Sequence, residues 1–390
     1  MSKRFLLTLL TIILIAIVGG IAIFAAKGYR LSPQTGTISG TGILSVTSKP
    51  DQASVYLDGH LTTATDENIN SLTPKTYTVR IVKDGYIPWE KQVEVKEGLV
   101  TEIKASLFRS IPTVYPLTYT GANNLLISPD DQKLVYVVPE NPAEGEVTNK
   151  KAGIWIWQMG TEGTINFGRG NEPRQISVSS GTDFTKAKFR WSPDSTQILA
   201  TLEDRQLLLD VDKFNDPARD ITAVAASTIK NWDDSETKNK QARLQLIKDA
   251  TLRKTASSSA SIKWSPDETK ILYKLNEKED YKVTDLTTNK TYQLPKASNY
   301  SFLADSEHLI MLEYEDSKPE QAGEEEAPNQ FTQTKISMIE VDGFNKSEIY
   351  VGNIDTSTVF SWPDSSKIVV ISSLPTLTAS KPNLYGINLK

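Results

Sequence analysis

The chain has 390 residues, 43 Lys and Arg against 48 Asp and Glu, a formal net charge of −5 and no cysteine. That length exceeds one ordinary small core, so two or more domains are expected. The mild acidity speaks against a nucleic-acid partner, which favours a strongly basic patch. The lack of Cys removes disulfides, thiolate catalysis and Cys-ligated zinc.

In chain order, a long apolar run comes first. Residues 5–26 carry no charge and are interrupted only by Thr8, Thr11, Gly19 and Gly20. At about 1.5 Å per residue, a helix of this length crosses the roughly 30 Å of bilayer hydrocarbon. Lys3 and Arg4 flank one side, Lys27 and Arg30 the other, so the positive-inside rule does not decide orientation. A cleaved signal peptide is the alternative. Against it stand the length of the run and a poor cleavage site at Ala26-Lys27-Gly28. Residues 1–30 therefore read as a retained single-pass anchor in the cell membrane, with the C-terminal part extracytoplasmic. Residues 31–42, rich in Ser, Thr and Gly, read as a flexible linker.

Residues 43–109 read as a small all-β unit. Strand-like runs lie at 43–46, 54–57, 77–82, 92–95 and 101–103, several alternating apolar and polar residues. Turn residues stand at Lys49-Pro50-Asp51, Asp58-Gly59 and Asp84-Gly85. Five segments occur in a telling order: Ser48 to Ala53, Val55 to Gly59, Leu72-Thr73-Pro74, Tyr77-Thr78-Val79, and Lys83-Asp84-Gly85-Tyr86 with Pro88-Trp89 behind it. In these residues the unit resembles the PEGA domain, a small β-sandwich of prokaryotic surface proteins. The family's namesake tetrapeptide stands here as Pro50-Asp51-Gln52-Ala53, and Lys75 replaces an expected Gly; both departures fall in loops. The resemblance implies an extracytoplasmic location and an adhesive or structural role.

From residue 110 to 390 the chain repeats itself. Phe189-Arg190-Trp191-Ser192-Pro193-Asp194 recurs as Ile262-Lys263-Trp264-Ser265-Pro266-Asp267 and as Leu125-Leu126-Ile127-Ser128-Pro129-Asp130. Tyr300 to Asp305 and Phe360 to Asp364 are worn copies. Pro and Asp supply turn chemistry, and a short β-branched run follows each turn, so each copy predicts strand, turn, strand. A third strand is expected at 154–157, 207–209, 281–284, 336–339 and 384–387, and a fourth at 174–176, 221–222, 292–294 and 348–350. Four antiparallel strands per repeat is the pattern of a propeller blade. The fifth copy lacks a fourth strand, which residues 113–118 can supply. The repeats resemble the TolB-like and WD40-like β-propellers, whose blades carry Trp-Ser-Pro-Asp-Gly. Here Asp131, Ser195, Glu268, Ser306 and Ser365 stand in place of the Gly. The expected fold is all-β: a PEGA-like β-sandwich plus a β-propeller of about five blades, six if a degenerate one is hidden.

Three stretches interrupt the repeats. Residues 139–152 and the acidic run 315–329 read as exposed loops. Residues 235–254 read as an amphipathic helix inserted between two blades, with Ser235 as cap and Ala242, Leu246 and Ala250 along one face.

No residue pattern in the sequence marks a catalytic, cofactor-binding or metal site. His60 and His308, the two histidines, fall in turns and read as surface residues. Gly-x-Ser-x-Gly and His-Glu-x-x-His are absent. The Ser-Pro-Asp carboxylates read as turn locks rather than a ligand ring. Trp191, Trp264 and Trp362 are expected in the core between blades. Trp155, Trp157 and Trp232 are the candidate binding surface, with Trp155 and Trp157 on one strand face as a sugar-stacking platform or as packing. Two function classes stay open. The first is a non-catalytic envelope protein that binds envelope proteins or cell-wall glycan. The second is a propeller that is, or serves, a peptide or glycan hydrolase or lyase.

Overall fold

The computed structural model describes residues 3–26, 30–31, 38–140, 150–160, 172–179, 182–259, 261–276, 279–314, 331–373 and 382–390, with side chains before residue 40 described at 8–23 alone. The chain forms two compact units, Met1–Ile111 and Pro112–Lys390.

In the first unit, helix α1 spans Lys3–Ala26. Its described side chains, apolar apart from Thr8 and Thr11, are exposed nearly all round; Leu10, Ile15 and Ile21 are more than 60% exposed. Among the described residues no helix is long and apolar enough to cross a membrane. The expected crossing at residues 5–26 is therefore met only as a helix. Of the linker, residues 32–37 lie outside those described.

The rest of this unit is a two-sheet sandwich. One sheet orders strands Glu67–Leu72, Gly42–Lys49 and Val100–Ser106; the other orders His60–Ala64, Ser54–Leu57, Lys75–Val82 and Trp89–Val95. Alternation decides which side chains meet: Leu44, Val46, Val55, Val79, Ile81 and Trp89 turn inward to one core. Two strands, His60–Ala64 and Glu67–Leu72, were not expected from the sequence. They are polar strands on sheet edges, and their residues are mostly exposed, so no apolar alternation marks them. Asp58 and Gly59 both have positive φ (49° and 82°), the two-residue turn that joins twisted antiparallel strands.

The second unit holds five four-stranded antiparallel sheets. The first orders Asn123–Ile127, Lys133–Val138, Gly153–Gln158 and Arg174–Val178. The second orders Lys188–Trp191, Gln197–Thr201, Gln206–Asp210 and Arg219–Asp220. The third runs from Ser261–Trp264 through Lys270–Lys274 and Lys282–Asp285 to Lys290–Gln293. The fourth runs from Asn299–Phe302 through His308–Tyr314 and Thr332–Glu340 to Ser347–Ile354. In the fifth, Phe360–Ser361, Lys367–Ser372 and Asn383–Asn388 are completed by Val114–Pro116, which pairs Val114 with Ile387 and Pro116 with Tyr385. The expected closure thus forms: the two ends of the unit share one sheet. Apolar clusters weld the first sheet to the second (Val135, Ile154, Trp191, Ile198) and to the fifth (Leu134, Trp157, Trp362, Val369), and the third to the fourth (Leu272, Val283, Tyr300, Leu309).

Between the second and third sheets stands a helical insertion. It is two helices, α2 at Ala225–Leu246 and α3 at Ala250–Ser258, where one at 235–254 was expected. Ser235 is inside α2, not at its cap. The break follows Leu246, where Ile247 is extended and its carbonyl accepts from Arg253 Nε (2.9 Å) and Nη2 (2.6 Å). Asp249 caps α3 by accepting from Leu252 N (2.8 Å). The buried face also differs: Ala225, Ile229 and Trp232 pack on Leu199 and Leu208 of the second sheet, while Leu246 is exposed. Ile247 and Ala256 pack on Ile271 and Tyr273 of the third sheet. The expected loops at 139–152 and 315–329 lie largely or wholly outside the described residues.

Candidate functional site

The repeated turns are the frame of the second unit. Ser192 Oγ donates to Asp194 (2.6 Å) and accepts from Gln197 N (2.9 Å), while Asp194 accepts from Thr196 N (3.3 Å). Ser265 and Asp267 repeat this with Thr269 and Lys270, and Ser128 and Asp130 with Gln132 and Lys133. At Asp267 and Asp130, burial works to raise the carboxyl, but hydrogen bonds from Ser and backbone N–H outweigh it and hold the pKa below the usual carboxylate range. At Asp194 the Ser192 hydroxyl is the main cause of the same lowering. These aspartates lock turns.

The residue after each Asp occupies the left-handed region, with φ of 55° to 62° at Asp131, Ser195, Glu268, Ser306 and Ser365. Gly is the ordinary occupant of such a position. Ser195 and Ser306 use the hydroxyl instead: each accepts from the backbone N–H of the Asp in the preceding sheet's turn, Asp130 (3.2 Å) and Asp267 (3.1 Å).

His308 is not a surface residue: it is 5% exposed, and its Nδ1 lies 2.9 Å from Asp305 Oδ2. The equivalent position in other sheets reaches toward the next turn, as Lys133 does to Ser195 O (3.2 Å) and Lys270 to Glu307 (2.9 Å). Such a position is covered by its neighbour, which the sequence spacing does not reveal. His60 is exposed at a strand start, as expected.

The three candidate tryptophans do not form a platform. Trp157 is 8% exposed and meets Trp362 edge-on at 5.7 Å. Trp232 is equally buried against the second sheet. Trp155 is half-buried, stacks on Tyr136 at 6.5 Å and donates Nε1 to Lys151 O (2.8 Å). Two indoles hide apolar area more favourably in sheet contacts than in water.

Of the repeat tryptophans, Trp191 and Trp362 are buried and donate to the neighbouring sheet, at Leu126 O (3.4 Å) and Gly160 O (2.7 Å). Trp362 takes the Ser192 position, not that of Trp191, because its N–H pairs with Lys367 O as Ser192 N pairs with Gln197 O. Trp264 departs from the expectation of a core residue. It stays half-buried, because the helices stand where the preceding sheet would cover it.

That departure marks the site. A cavity of about 570 Å³ is lined by the innermost strands of the first, third, fourth and fifth sheets, including Ile127, Lys263, Trp264, Phe302 and Phe360, and by Arg243 of α2. This is the channel of the ring. A second cavity of about 900 Å³ lies between α2 and strand Ser261–Trp264. Arg243, Lys263, Trp264 and Pro129 line both. Lys263 Nζ donates to Asn299 Oδ1 (3.0 Å) and Tyr300 O (2.5 Å), and burial pulls its pKa below the ordinary lysine range. Arg243 Nε meets Glu268 at 2.9 Å. Asp131, at the channel mouth, is pushed above the carboxylate range by burial and by Asp130. Asp130 and Asp131 line the cavity together with these cations and rings, and among the described residues no group of three or more His, Asp or Glu is placed to hold a metal. Sequence reasoning missed Lys263 and Arg243. The available signal was a cation at one repeat position in two copies, Arg190 and Lys263.

The PEGA domain family matches residues 41–110. No curated protein matches the chain. Among solved structures, it is similar to TolB from Acinetobacter baumannii (12% identity, TM-score 0.24), covering 80% of this chain and 59% of that one. It is also similar to the β-propeller domain of the Trilobed protease from Pyrococcus furiosus (13%, TM-score 0.22, 70% and 72%) and to the RRP9 WD40 repeats (10%, TM-score 0.28, 73% and 100%). The chain thus spans about three-fifths of the TolB chain it matches. The propeller architecture rests on the strand pairing and closure of the second unit.

Proposed function

We propose that this protein is a membrane-anchored, extracytoplasmic binding or scaffold protein of the cell envelope, non-catalytic, with a PEGA domain at residues 41–110 and a five-sheet propeller that holds a protein or glycan. The observation that carries the reading is the channel. Its walls are strands held by turn locks and apolar cores, and Lys263 within it is bonded to neutral acceptors alone. A rigid ring with an unneutralised cation in its bore suits recognition of a ligand. The anchor is supported by α1, whose apolar side chains at 8–23 lie exposed on all sides, as a helix facing lipid requires. The two halves of the proposal have separate tests. Protease shaving of intact cells is expected to digest the region after residue 40; protection of that region would reverse the orientation. Cross-linking followed by capture of the full chain from detergent-solubilised envelope is expected to retain envelope protein or wall glycan. Covalent labelling of the chain by a fluorophosphonate would overturn the non-catalytic reading.

A further inference from the structure

One position of the repeat, immediately before the Trp of Trp191 and Trp264, is occupied in turn by Leu126, Arg190, Lys263, Ser301 and Phe360. The register confirms the equivalence: each pairs with the third residue of its partner strand, as Arg190 does with Leu199 and Lys263 with Leu272. Two of the five are cations, and α2 treats them in opposite ways. It brings Asp233 to 2.6 Å and Glu236 to 3.0 Å from Arg190. To Lys263 it brings no carboxylate among the described residues; Arg243 of α2, which lines the same two cavities, is paired with Glu268. Among the described residues no carboxylate lies within ion-pair distance of Lys263, whose Nζ meets only the Asn299 side-chain oxygen and the Tyr300 carbonyl. Arg243 is bound through Nε to Glu268, and its Nη groups make no hydrogen bond among the described residues.

A half-buried ammonium without an ionic partner is unfavourable until an anion joins it. Lys263 has a third N–H to spare, and a carboxylate accepts it. The surroundings narrow the ligand further. Each sheet places its innermost strand at an end of the strand order, so the outer edge of that strand has no ladder partner and faces the channel. Such strand edges, in a cavity also lined by the rings of Trp264, Phe302 and Phe360 from three different sheets, suit an extended peptide, which can pair its backbone with one edge and rest side chains on the rings. Resting on the reading of the channel as a binding site, we infer that it contains a carboxylate-binding subsite, in which Lys263 holds a carboxylate of a peptide beside Trp264.

The test uses the full chain in detergent and an N-acetylated random hexapeptide pool made in two forms, with free C-terminal carboxylates and with carboxamides. A third pool, carboxamide-ended and lacking Asp and Glu, separates chain-end from side-chain carboxylates. The expected result is retention of the carboxylate-bearing pools at least about tenfold above the third pool, with quenching of Trp264 emission. Lys263→Met is expected to abolish that preference, and Lys263→Arg to keep most of it, which excludes a folding defect as the cause. Retention confined to the first pool assigns the site to a chain end. Equal retention of all three pools, unchanged by Lys263→Met, overturns the subsite while leaving a peptide-binding channel. Retention of none overturns both.

Discussion

Ser195 and Ser306 show how a departure from a repeat pattern acquires a physical reason. A side chain in the left-handed region costs about 1–2 kcal/mol relative to the right-handed one. Each Ser sits there at φ near 60° and is nearly fully buried. Its hydroxyl accepts the N–H of an Asp in the preceding sheet's turn, and a hydrogen bond of this kind contributes about 0.5–1.5 kcal/mol. The two magnitudes are comparable, so the bond offsets the strain and ties adjacent sheets. Ser195→Ala, which keeps the strain and loses the bond, is expected to lower the unfolding free energy by about 0.5–1.5 kcal/mol. Ser195→Gly loses the same bond but relaxes the backbone, and is expected to cost less. Denaturant titration of both variants checks the order; a Gly variant weaker than the Ala variant would contradict this account.

Among elements, α2 decides most. Its contact with the second sheet combines the buried Trp232 with the partly exposed ion pairs of Arg190. Exposed ion pairs contribute about 0–1 kcal/mol. Truncating a buried Trp costs about 3–5 kcal/mol where the site does not collapse. Trp232→Ala is therefore expected to lower the stability of the second unit by about 3 kcal/mol, well beyond the effect of Arg190→Met. The same helix leaves Trp264 half-covered and joins the two cavities at Arg243. An unchanged unfolding midpoint for Trp232→Ala would make the insertion a passenger on the ring.

For the whole second unit, closure is the controlling feature. Val114–Pro116 covers the edge of Asn383–Asn388 and joins the start of the unit to its end. Removing that strand exposes an unpaired edge and lets the first and fifth sheets separate through the cluster of Leu134, Trp157 and Val369. Replacing residues 111–119 by a Gly-Ser segment of equal length is expected to lower the thermal midpoint and promote aggregation. A midpoint equal to that of the parent chain would show that the sheets hold the ring without it.

Much of this was written in local chemistry. Ser-Pro-Asp before a β-branched run encodes strand, turn and strand, because turn dihedrals and side-chain bonding act over a few residues. Counting strands pointed to 113–118 as a segment able to complete the last sheet, and Asp58-Gly59 marked a turn. Edge strands such as His60–Ala64 escaped, since a strand paired on one side and exposed needs no apolar alternation. Tertiary placement alone decided the rest. Whether His308 is buried, whether Trp157 is free to stack, and whether Lys263 finds an acid depend on which neighbour covers each side chain. Burial and ion pairing are properties of residues far apart in the chain, and they come into being only when the sheets and α2 meet.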